Sequence, residues 1–455
     1  MPQIGDVLSL DVEKPAAGGR MMARSEGRVV FVAGAIPGER VQVRISRVAK
    51  GVLFADTVSV LEASPDRMAL EAGSLYTTCG GSTYAHIAYE RQLALKADIV
   101  SDALARLGRV AAPTPIRVAA SRPDGYRMRA RFHVRDGRLG FYREGTHELC
   151  DARGTRQLLP RTCDVLDELS ARLTSDRLPV VDEVEIAENA AASARVVHCA
   201  ARTAWHASHW TVLQHVPGVT GMVVSGPAGS GRSLDAHLVT GDPYVIDRVE
   251  VPTGAADTGS VEPNAAEDRL ARAGATNATV ALRRHVRSFF QGNRYLIGDL
   301  VSHVTSLVPP ASRLIDLYAG VGVFAMASAA ARNASVVAVE GDRFAAQDLE
   351  ANAVSSCGAV DVCHQTVEQF LARPRTSDVV IVDPPRTGLS AEAATGLVSL
   401  ETERIVYVSC DAPTLARDVR RLVEAGSGFV VDRVDAFDLF PNTPHVETVL
   451  TLTRR

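Results

Sequence analysis

The sequence predicts an α/β protein whose C-terminal part is a doubly wound, mainly parallel sheet. Short apolar runs rich in β-branched residues recur after residue 281, as buried parallel strands require. Helical patterns lie between these runs, and glycine, proline or acidic residues follow several of them. Such alternation of strands and helices is typical of open α/β sheets. The predicted strands span residues 313–317, 335–339, 379–382, 405–408, 429–434 and 447–453.

Length and composition limit the class of protein further. A chain of 455 residues with 46% hydrophobic and 22% charged residues predicts two or three globular domains. It has no apolar run of about 18 residues and no signal peptide, so a cytoplasmic protein without a membrane span is expected. The seven cysteines are odd in number and scattered, which predicts a reducing compartment and no disulfide framework. They are Cys79, Cys150, Cys163, Cys199, Cys357, Cys363 and Cys410.

Residues 1–63 have the pattern of a small all-β unit. Residues 40–45 alternate polar and apolar, which places Val41, Val43 and Ile45 on one face of a strand. Glycines separate several short strands, a rhythm that fits a five-stranded OB-like β-barrel. The segment is locally basic, and two interpretations stay open: solvated strand faces or an RNA-binding surface.

Residues 64–280 are the predicted central, mixed α/β domain. Arginines crowd between residues 121 and 161 and alternate with tyrosine, phenylalanine and histidine. Arginine supplies phosphate contacts and aromatic rings supply stacking faces, so this composition favours a single-stranded nucleic acid over an ordinary charged sheet face. The net charge of −4 shows that the chain is not basic throughout. Residues 252–278, rich in alanine, glycine and threonine, indicate a long loop before the last domain, 281–455.

A glycine-bearing turn follows the first strand of the C-terminal sheet. Asp316 lies near the end of that strand, and Gly320 and Gly322 follow in the turn. Glu340 ends the next predicted strand, where a carboxylate can accept hydrogen bonds from a ribose diol. The third glycine of the dinucleotide fingerprint is missing, so the set resembles an S-adenosylmethionine site more than a nicotinamide site. A plain tight corner is the alternative interpretation of the glycines.

Two further strand ends carry polar groups. Residues 383–386 read Asp-Pro-Pro-Arg, where the prolines stiffen the loop and present the Asp383 carboxylate. Cys410 comes at the carboxyl end of the strand 405–408, where open α/β sheets place their chemistry. A free cysteine is often a small buried hydrophobe, so from this stretch alone both packing and catalysis stay open for Cys410. Thr414 is the expected N-cap of a helix that starts near Leu415.

Five short motifs follow one another along the C-terminal part of the chain. They are Ser288-Phe-Phe-Gln-Gly-Asn293, Asp316-Leu-Tyr-Ala-Gly-Val-Gly322, Asp383-Pro-Pro-Arg386, Val408-Ser-Cys-Asp411 and Phe440-Pro-Asn-Thr-Pro-His-Val-Glu447. Together they resemble the RNA uracil-C5 methyltransferases of the TrmA/RlmD type, and residues 1–63 resemble the TRAM domain of that family. The resemblance implies a Rossmann-like class I methyltransferase domain, S-adenosyl-L-methionine as cofactor, and formation of 5-methyluridine in tRNA or rRNA.

The resemblance also implies roles for individual residues. Cys410 matches the nucleophile that adds to carbon 6 of uracil, and Glu447 matches the base that removes the carbon 5 proton. The residues expected to bind the cofactor are Gln291, Asp316, Tyr318, Gly320, Gly322, Glu340 and Asp383. The residues expected to contact the RNA are Arg127, Arg129, Arg131 and Phe290, with Asp383 also facing the base.

The chain departs from many members at the four cysteines that hold an iron–sulfur cluster. It keeps Cys79 but has Gly73, Ser82 and Thr155 at the other three positions. Because one thiolate cannot hold a cluster, we expect no iron–sulfur cluster and no metal. The remaining cysteines of this region, at positions 150 and 163, are interpreted as structural.

Two substitutions fall closer to the expected site, and two other functions stay open. Thr366 stands where many members have an acid near the adenine, and Asp411 replaces the usual asparagine after the nucleophile. One alternative is a class I methyltransferase that acts on a small molecule or a protein, but such an enzyme needs neither a barrel nor an arginine–aromatic segment. The other is a non-catalytic RNA-binding or chaperone protein, against which the presence of Cys410 and Glu447 argues. The expected oligomeric state is a monomer.

Overall fold

The computed structural model of the chain describes residues 2–69, 79–174, 178–227, 233–253 and 277–455. Most of the predicted boundary loop, residues 254–276, lies outside the described residues, as does Gly73. Within the described ranges, no helix combines the length and the hydropathy that a membrane crossing requires.

The N-terminal residues form a closed barrel of five strands in the order β1-β2-β3-β5-β4. The strands are β1 (Val7–Pro15), β2 (Met21–Ser25), β3 (Arg28–Ala33), β4 (Arg40–Ala49) and β5 (Val52–Glu62). Val41, Val43 and Ile45 are buried inside the barrel, whereas Arg40 and Arg44 of the same strand are exposed. Alternate residues of a strand point to opposite faces, so the period-two pattern of the sequence produces this burial directly.

A helical segment connects the barrel to the rest of the chain. It contains helix α1 (Tyr89–Ala103), a π-helical turn (Leu104–Gly108) and the short strand β6 (Val118–Ala119). Ile99 and Val100 of α1 are buried against the C-terminal sheet, and β6 joins the edge of that sheet through β21 (Phe429–Phe437). The segment therefore packs with the last part of the chain.

A seven-stranded sheet occupies the middle of the chain, in the order β13-β12-β11-β10-β7-β8-β9. Its strands are β7 (Arg129–Arg135), β8 (Arg138–Tyr142), β9 (Leu149–Cys150), β10 (Val181–Glu188), β11 (Arg195–Ala201), β12 (Gly221–Pro227) and β13 (Ser233–Gly241). One face buries Phe132, Val184 and Val197 against helix α2 (Pro160–Leu173) and a 3₁₀ helix (Ala207–Leu213). The opposite face carries charged side chains of β7 and β10.

The C-terminal residues form an eight-stranded sheet in the order β18-β17-β16-β19-β20-β22-β21-β6. The strands from β18 to β20 are parallel to their neighbours, and β22 lies antiparallel between β20 and β21. This is the doubly wound, mainly parallel class I sheet that the sequence predicts. Its elements are α3 (Ile297–Ser306), β16 (Arg313–Leu317), α4 (Val323–Arg332), β17 (Ser335–Glu340), α5 (Arg343–Ala353), a 3₁₀ turn (Val354–Ser356), β18 (Val360–His364), α6 (Val367–Leu371), β19 (Val379–Val382), α7 (Ala391–Ser399), β20 (Arg404–Ser409), α8 (Ala412–Glu424), β21 and β22 (Glu447–Arg454).

Helices cover both faces of this sheet. Helices α3, α4 and α5 pack on one face together with a hairpin of β14 (Tyr244–Pro252) and β15 (Asn277–His285). Helices α1, α6, α7 and α8 pack on the other face. The predicted limits of the central domain at residues 64 and 280 stay a prediction, but segments near both limits contribute to the C-terminal core.

Helix α8 begins earlier than the sequence pattern predicts. Its N-cap is Asp411 and not Thr414, since an Asp411 carboxylate oxygen accepts a hydrogen bond from the Thr414 N–H at 2.9 Å. Pro413 lies in the first turn, where its missing N–H is no loss. Thr414 therefore belongs to the helix, and its β-branched side chain was a weaker start signal than the aspartate before the proline.

Cys79 and Cys150 are joined by a disulfide, although the sequence predicts reduced cysteines. Cys79 pairs with Arg143 in an isolated bridge, and Cys150 pairs with Phe141 through strands β8 and β9. The backbone thus places their Cα atoms 5.9 Å apart. Cys163 is buried and free. The described residues contain no group of three histidine, cysteine or acidic side chains placed to hold a metal ion, and the expected lack of an iron–sulfur cluster stays a prediction.

A completely buried ion pair joins α1 to the segment between β21 and β22. Lys96 Nζ donates to an Asp438 carboxylate oxygen at 2.5 Å and to the Phe440 carbonyl at 3.0 Å. The Tyr89 hydroxyl donates to the second oxygen of Asp438 at 2.9 Å. Both charged side chains are fully removed from solvent, so each depends on the other for its stability.

We expect Lys96→Met to lower the free energy of unfolding by about 3–5 kcal/mol, because it leaves the Asp438 carboxylate buried without a counter-charge. Chemical denaturation followed by circular dichroism measures the effect. Lys14→Met is the matched control, since it removes a partly exposed partner of Asp102 and is expected to change the free energy by less than about 1 kcal/mol. Similar effects of the two substitutions would contradict the structural role of Lys96.

Candidate active site

Three strand ends of the C-terminal sheet bring the predicted catalytic residues to one edge. Asp383 directly follows β19, Cys410 directly follows β20, and Glu447 is the first residue of β22. Strands β20 and β22 are antiparallel and pair Ser409 with Thr448. One position beyond this last pair, Cys410 and Glu447 stand opposite each other at the ends of the two strands, near enough for the Glu447 charge to act on the thiol.

The Cys410 thiol is strongly disfavoured as a thiolate in this environment. Burial and the neighbouring Glu447 carboxylate raise the pKa of Cys410 to about 12. Arg386 acts in the opposite direction, through its positive charge and a hydrogen bond to the sulfur. The thiol is therefore protonated at neutral pH, and its activation requires a change in the charges around it.

Several carboxyl groups share the same edge of the sheet. Burial raises the pKa of Glu447 well above its ordinary value, and the Asp383 carboxylate raises it further, against the opposing charge of Arg386. Burial raises the pKa of Asp383 to about 7, although Asp383 accepts a hydrogen bond from Gln291 Nε2 at 3.2 Å. Neighbouring carboxylates do not all ionise in a buried site, so part of this group keeps its protons at neutral pH.

The turn between β16 and α4 has the features of a ligand-binding loop. Gly320 has a φ of 58°, and a side chain built on it would meet no atom within 4 Å. The Glu340 carboxylate accepts hydrogen bonds from the N–H groups of Gly320, at 2.8 Å, and Asp342, at 2.6 Å, which orders the turn. Burial also raises the pKa of Glu340. An ordered turn beside open space fits the predicted cofactor.

Asp316 is the second feature that fits a ligand. It is completely buried, and burial followed by the Asp383 charge raises its pKa well above the ordinary value. Within the described part of the chain neither carboxyl oxygen has a hydrogen-bond partner of normal geometry, although the Ala325 amide faces the group. Buried acceptors normally have partners, so a cofactor with N–H or O–H donors or a positive charge suits this position.

Tyr318 and Gly322 shape the same turn from left-handed backbone conformations. Gly322 has a φ of 92°, and a Cβ there would lie 2.5 Å from Leu349 Cδ1, so both conformation and packing require glycine. Tyr318 has a φ of 61°. Its ring packs in the layer of α7 and α8, where burial and the charges of Glu368 and Asp418 raise its pKa.

The two substitutions noted near the site both act as helix N-caps. The Thr366 hydroxyl accepts a hydrogen bond from the Gln369 N–H at 3.3 Å and caps α6, while the Gln369 side chain accepts one from the Thr366 N–H at 3.2 Å. Asp411 caps α8 as described above. Their oxygens are thus engaged in starting helices.

Arg386 and His445 belong to the site but were not assigned a role from the sequence. Arg386 is exposed as a residue, yet its guanidinium reaches the Cys410 sulfur. Burial together with the charges of Arg386 and Lys96 lowers the pKa of His445 to about 4, so its imidazole is neutral. The sequence indicates both only by their places in the motifs: Arg386 directly follows Asp383-Pro-Pro, and His445 lies two residues before Glu447.

Known proteins resemble this chain over its whole length. A family model described as tRNA (Uracil-5-)-methyltransferase matches residues 275–455, and a TRAM domain model matches residues 3–58. The chain is 31% identical over 467 residues to the 23S rRNA (uracil(1939)-C(5))-methyltransferase RlmD of Halomonas elongata, which covers 97% of this chain and 89% of the relative. The chain belongs to the RNA uracil-C5 methyltransferase family.

Further comparisons agree with this family and with its fold. An uncharacterized RNA methyltransferase of Nitratidesulfovibrio vulgaris is 29% identical over 482 residues, covering 99% of this chain and 97% of the relative. The crystal structure of a Pyrococcus abyssi tRNA (uracil-54, C5)-methyltransferase in complex with S-adenosyl-L-homocysteine superimposes with a TM-score of 0.70 at 22% identity, covering 98% and 99% of the two chains. The protein is an S-adenosylmethionine-dependent RNA uracil-C5 methyltransferase.

Phe290 of this RNA methyltransferase lies in the core and not at the RNA-facing surface. Its side chain is 4% exposed, with the Arg284 guanidinium 4.6 Å from the ring centroid. The neighbouring Phe289 is 61% exposed. The assignment of Phe290 to RNA contact is therefore corrected: Phe289, not Phe290, is the aromatic side chain exposed to solvent. Two adjacent phenylalanines gave no sequence signal that distinguishes the buried ring from the exposed one.

The three arginines predicted to contact RNA differ in their surroundings. Arg127 Nη1 donates to Gln157 Oε1 at 2.6 Å, and Arg129 forms an ion pair with Glu185 at 2.6 Å. Arg131 keeps 59% of its side chain exposed. Contact between RNA and these arginines stays a prediction for the methyltransferase, with Arg131 the most accessible of the three.

We expect alkylation of Cys410 by iodoacetamide in the free methyltransferase to accelerate about tenfold per pH unit between pH 7 and pH 10, without a plateau, because its pKa is raised. Mass spectrometry of the Cys410 peptide measures the rate. In urea-denatured protein the rate of the same thiol should level off about one pH unit above the ordinary cysteine pKa of about 8.5. Arg386→Gln should slow the native reaction further. A plateau below pH 9 in the native protein would contradict the buried, carboxyl-flanked thiol.

Proposed function

We propose that the protein forms 5-methyluridine in tRNA or rRNA through a covalent bond between Cys410 and carbon 6 of the target uracil. The observation that supports this most directly is the register of β20 and β22, which pairs the thiol position with Glu447. Buried ionisable groups with strongly shifted pKa values are typical of catalytic sites. We also propose that the enzyme works as a monomer in the cytoplasm, where its five free cysteines stay reduced.

The chemistry of uracil explains why a thiol is needed. Carbon 5 of uracil is too weak a nucleophile to accept a methyl group unaided. Addition of the Cys410 thiolate to carbon 6 forms a carbon–sulfur bond, breaks the 5,6 double bond and places electron density on carbon 5 and oxygen 4. Covalent catalysis thus divides one difficult step into two easier ones.

Glu447 and Arg386 have complementary roles in this proposal. Once carbon 5 carries the methyl group, the Glu447 carboxylate removes the remaining carbon 5 proton, the 5,6 double bond forms again and the carbon–sulfur bond breaks. Arg386 lies close enough to Cys410 to stabilise the thiolate both before attack and on departure. Without that cation, the Cys410 thiolate would form next to carboxylates in a buried site, both before attack and on departure.

The residues around the glycine turn would hold the cofactor. Gln291, Asp316, Glu340 and Asp383 lie at this edge of the sheet together with the turn at Gly320. S-adenosylmethionine supplies an electrophilic methyl group on a positively charged sulfur. Carboxyl groups whose pKa values are raised by burial become easier to ionise near a positive charge, so the acidic character of this edge favours a cationic ligand.

The proposal assigns RNA binding to the rest of the chain. Residues 1–63, the TRAM-like barrel, and residues 64–280, the central domain, contact RNA, and residues 281–455 carry out methyl transfer. Basic and aromatic side chains on the barrel and the central sheet support this division. A small-molecule or protein methyltransferase would not need these surfaces, and an RNA chaperone would not need the paired thiol and carboxyl groups.

We expect Cys410→Ala to abolish the covalent complex with an RNA that contains 5-fluorouridine. Fluorine replaces the proton that Glu447 must remove, so the wild-type adduct cannot break down and runs as a slower band in denaturing electrophoresis. The substrate is total tRNA and rRNA from a strain that lacks the protein, with 5-fluorouridine incorporated, incubated with S-adenosylmethionine. Cys357→Ala, at an exposed free cysteine, is the matched control and should form the adduct normally. Undiminished adduct formation or label transfer by Cys410→Ala would disprove the nucleophile assignment.

We expect Glu447→Gln to accumulate a covalent complex with ordinary uridine RNA. Methyl transfer to carbon 5 remains possible in this variant, but removal of the proton is slowed by about 10²–10⁴-fold without a general base. The methylated adduct is measured by labelled cofactor that stays attached to protein after denaturation. Glu392→Gln, at an exposed helix position, is the control and should release methylated RNA. Normal multiple turnover by Glu447→Gln would contradict its role as the base.

A further inference from the structure

The central sheet has one polar face that starts near the active site. Alternate residues of β7 place Arg129, Arg131, His133 and Arg135 on this face, while Phe132 points into the core on the other side. The face begins close to Arg127. Burial lowers the pKa of Arg127, and the positive charge of Arg386, an active-site residue, lowers it further, so the two guanidinium groups lie near each other. From Arg127 to His133 the chain extends over roughly 20 Å, at about 3.3 Å per residue. The outer part of this face therefore lies within reach of an RNA strand that enters the active site.

The inner and outer parts of this face are covered differently. Near Arg129 the neighbouring Ala187 is buried with Val245 and Val286, so the sheet is covered there. Farther out, 59% of the Arg131 side chain and 28% of the His133 side chain are exposed. The polar face thus opens to solvent at its outer end.

A cleft of about 560 Å³ lies at this open end. Its volume is in the range of sites that hold a small molecule or one nucleotide. The polar and aromatic residues that line it are His133, Arg135, Tyr142, His147, Asp182, Glu183 and Arg202. All of them except His147 and Arg202 belong to β7, β8 or β10, so the floor of the cleft is the sheet itself.

Aromatic rings are already arranged in this cleft. The rings of His133 and Tyr142 are parallel within 4°, with centroids 3.7 Å apart. His147 approaches Tyr142 edge-on, at 5.3 Å between centroids. Arg135 Nη2 donates a hydrogen bond to the Tyr142 hydroxyl oxygen at 3.1 Å, which holds the phenol ring in place. Ordered aromatic rings on an exposed sheet face provide a stacking surface for a nucleobase.

The cleft also contains carboxylates that can recognise the edge of a base. Glu183 lies 3.6 Å from His133 Nδ1 and 3.9 Å from an Arg131 nitrogen, distances too long for hydrogen bonds. Asp182 adds a second carboxylate, 3.5 Å from Arg202. Carboxylates repel a phosphate but accept hydrogen bonds from the N–H groups on the edge of a base. Burial, the largest cause, lowers the pKa of His133, which favours its neutral form for stacking.

We propose that the cleft of His133, Tyr142 and Glu183 is a second nucleotide site, which stacks an unpaired base of the substrate RNA away from the target uridine. The inference rests on the proposed function, because it deepens the way the enzyme holds its RNA. The rings supply stacking, and Glu183 and Asp182 select a base that presents N–H donors. Arg131 and Arg135 flank the site and contact the phosphates on either side of that base.

The test uses the full-length protein and a 12-nucleotide single-stranded RNA with one 2-aminopurine at its centre, a base with an exocyclic amino group whose fluorescence falls on stacking. We expect quenching with the wild-type protein and loss of the quenching with Tyr142→Ala. Tyr142→Ala and His133→Ala should weaken binding by roughly 5- to 100-fold, as for one stacked base. The dependence of affinity on salt should keep its slope, because no phosphate contact is removed. Tyr142→Phe keeps the ring and should bind nearly normally.

Two controls separate stacking from misfolding and from general RNA affinity. His215→Ala removes an exposed histidine of the central domain, outside the cleft, and should leave quenching and affinity unchanged. Arg131→Gln should reduce the salt slope but keep the quenching. In the wild-type protein, photo-crosslinking of an RNA with one 4-thiouridine should label a peptide that contains Tyr142 or His147.

The outcomes distinguish this site from the proposed function. Absence of 2-aminopurine quenching by wild-type protein, or quenching that persists in Tyr142→Ala, overturns the nucleotide site. A fall in salt slope on Tyr142→Ala with unchanged quenching also overturns it. If the cleft binds the probe but no 5-methyluridine forms in any RNA, the catalytic proposal fails while the site stands. If Tyr142→Ala still forms the Cys410 adduct but with a higher KM for RNA and unchanged kcat, both are supported.

Discussion

The antiparallel position of β22 is the constraint on which the active site depends. In a purely parallel sheet the strands present only their carboxyl ends at the catalytic edge. Because β22 runs the other way, its first residue, Glu447, arrives beside Cys410 at the end of β20. A shift of one residue would turn Glu447 to the opposite face of the sheet. Pairing on both sides, with β20 and with Phe437 of β21, holds this register.

Buried polar groups fix the segment that leads into β22. Asn293 Nδ2 donates to the Leu439 carbonyl at 3.1 Å, so the motif that supplies Gln291 to the site also holds this segment. From the other side, Gln92 of α1 exchanges hydrogen bonds at 3.0 Å with the side chain and the N–H of Asn442. Fully satisfied polar contacts of this kind specify one arrangement of the backbone, because each group left unpaired would be costly when buried. Helix α1 therefore takes part in positioning the general base proposed here.

The sequence predicts the sheet well because buried parallel strands leave unmistakable apolar runs. It also places Asp316, Asp383 and Cys410 at strand ends, which the structure brings to one edge. What it misses depends on contacts between distant residues. The disulfide joins Cys79 to Cys150, 71 residues later in the chain. Phe290 is buried in an apolar cluster whose members come from many separate elements. Local spacing carries neither fact. The capping role of Asp411 is local, but Thr414, three residues later, is an equally common type of N-cap residue.

The raised pKa values of Cys410 and Glu447 favour one negative charge shared between them over two. In the proposed mechanism Cys410 attacks most readily when Glu447 is protonated, because the carboxylate is itself a cause of the high thiol pKa. Once sulfur is bonded to carbon 6 it cannot ionise, and the charge is free to reside on Glu447, where a base is then needed. When Glu447 takes the carbon 5 proton, the charge returns to the departing sulfur. Arg386 acts on both groups and stabilises the single negative charge at either position. Burial disfavours ionisation of each group, so only one of the two is ionised at a time, first Cys410 and then Glu447.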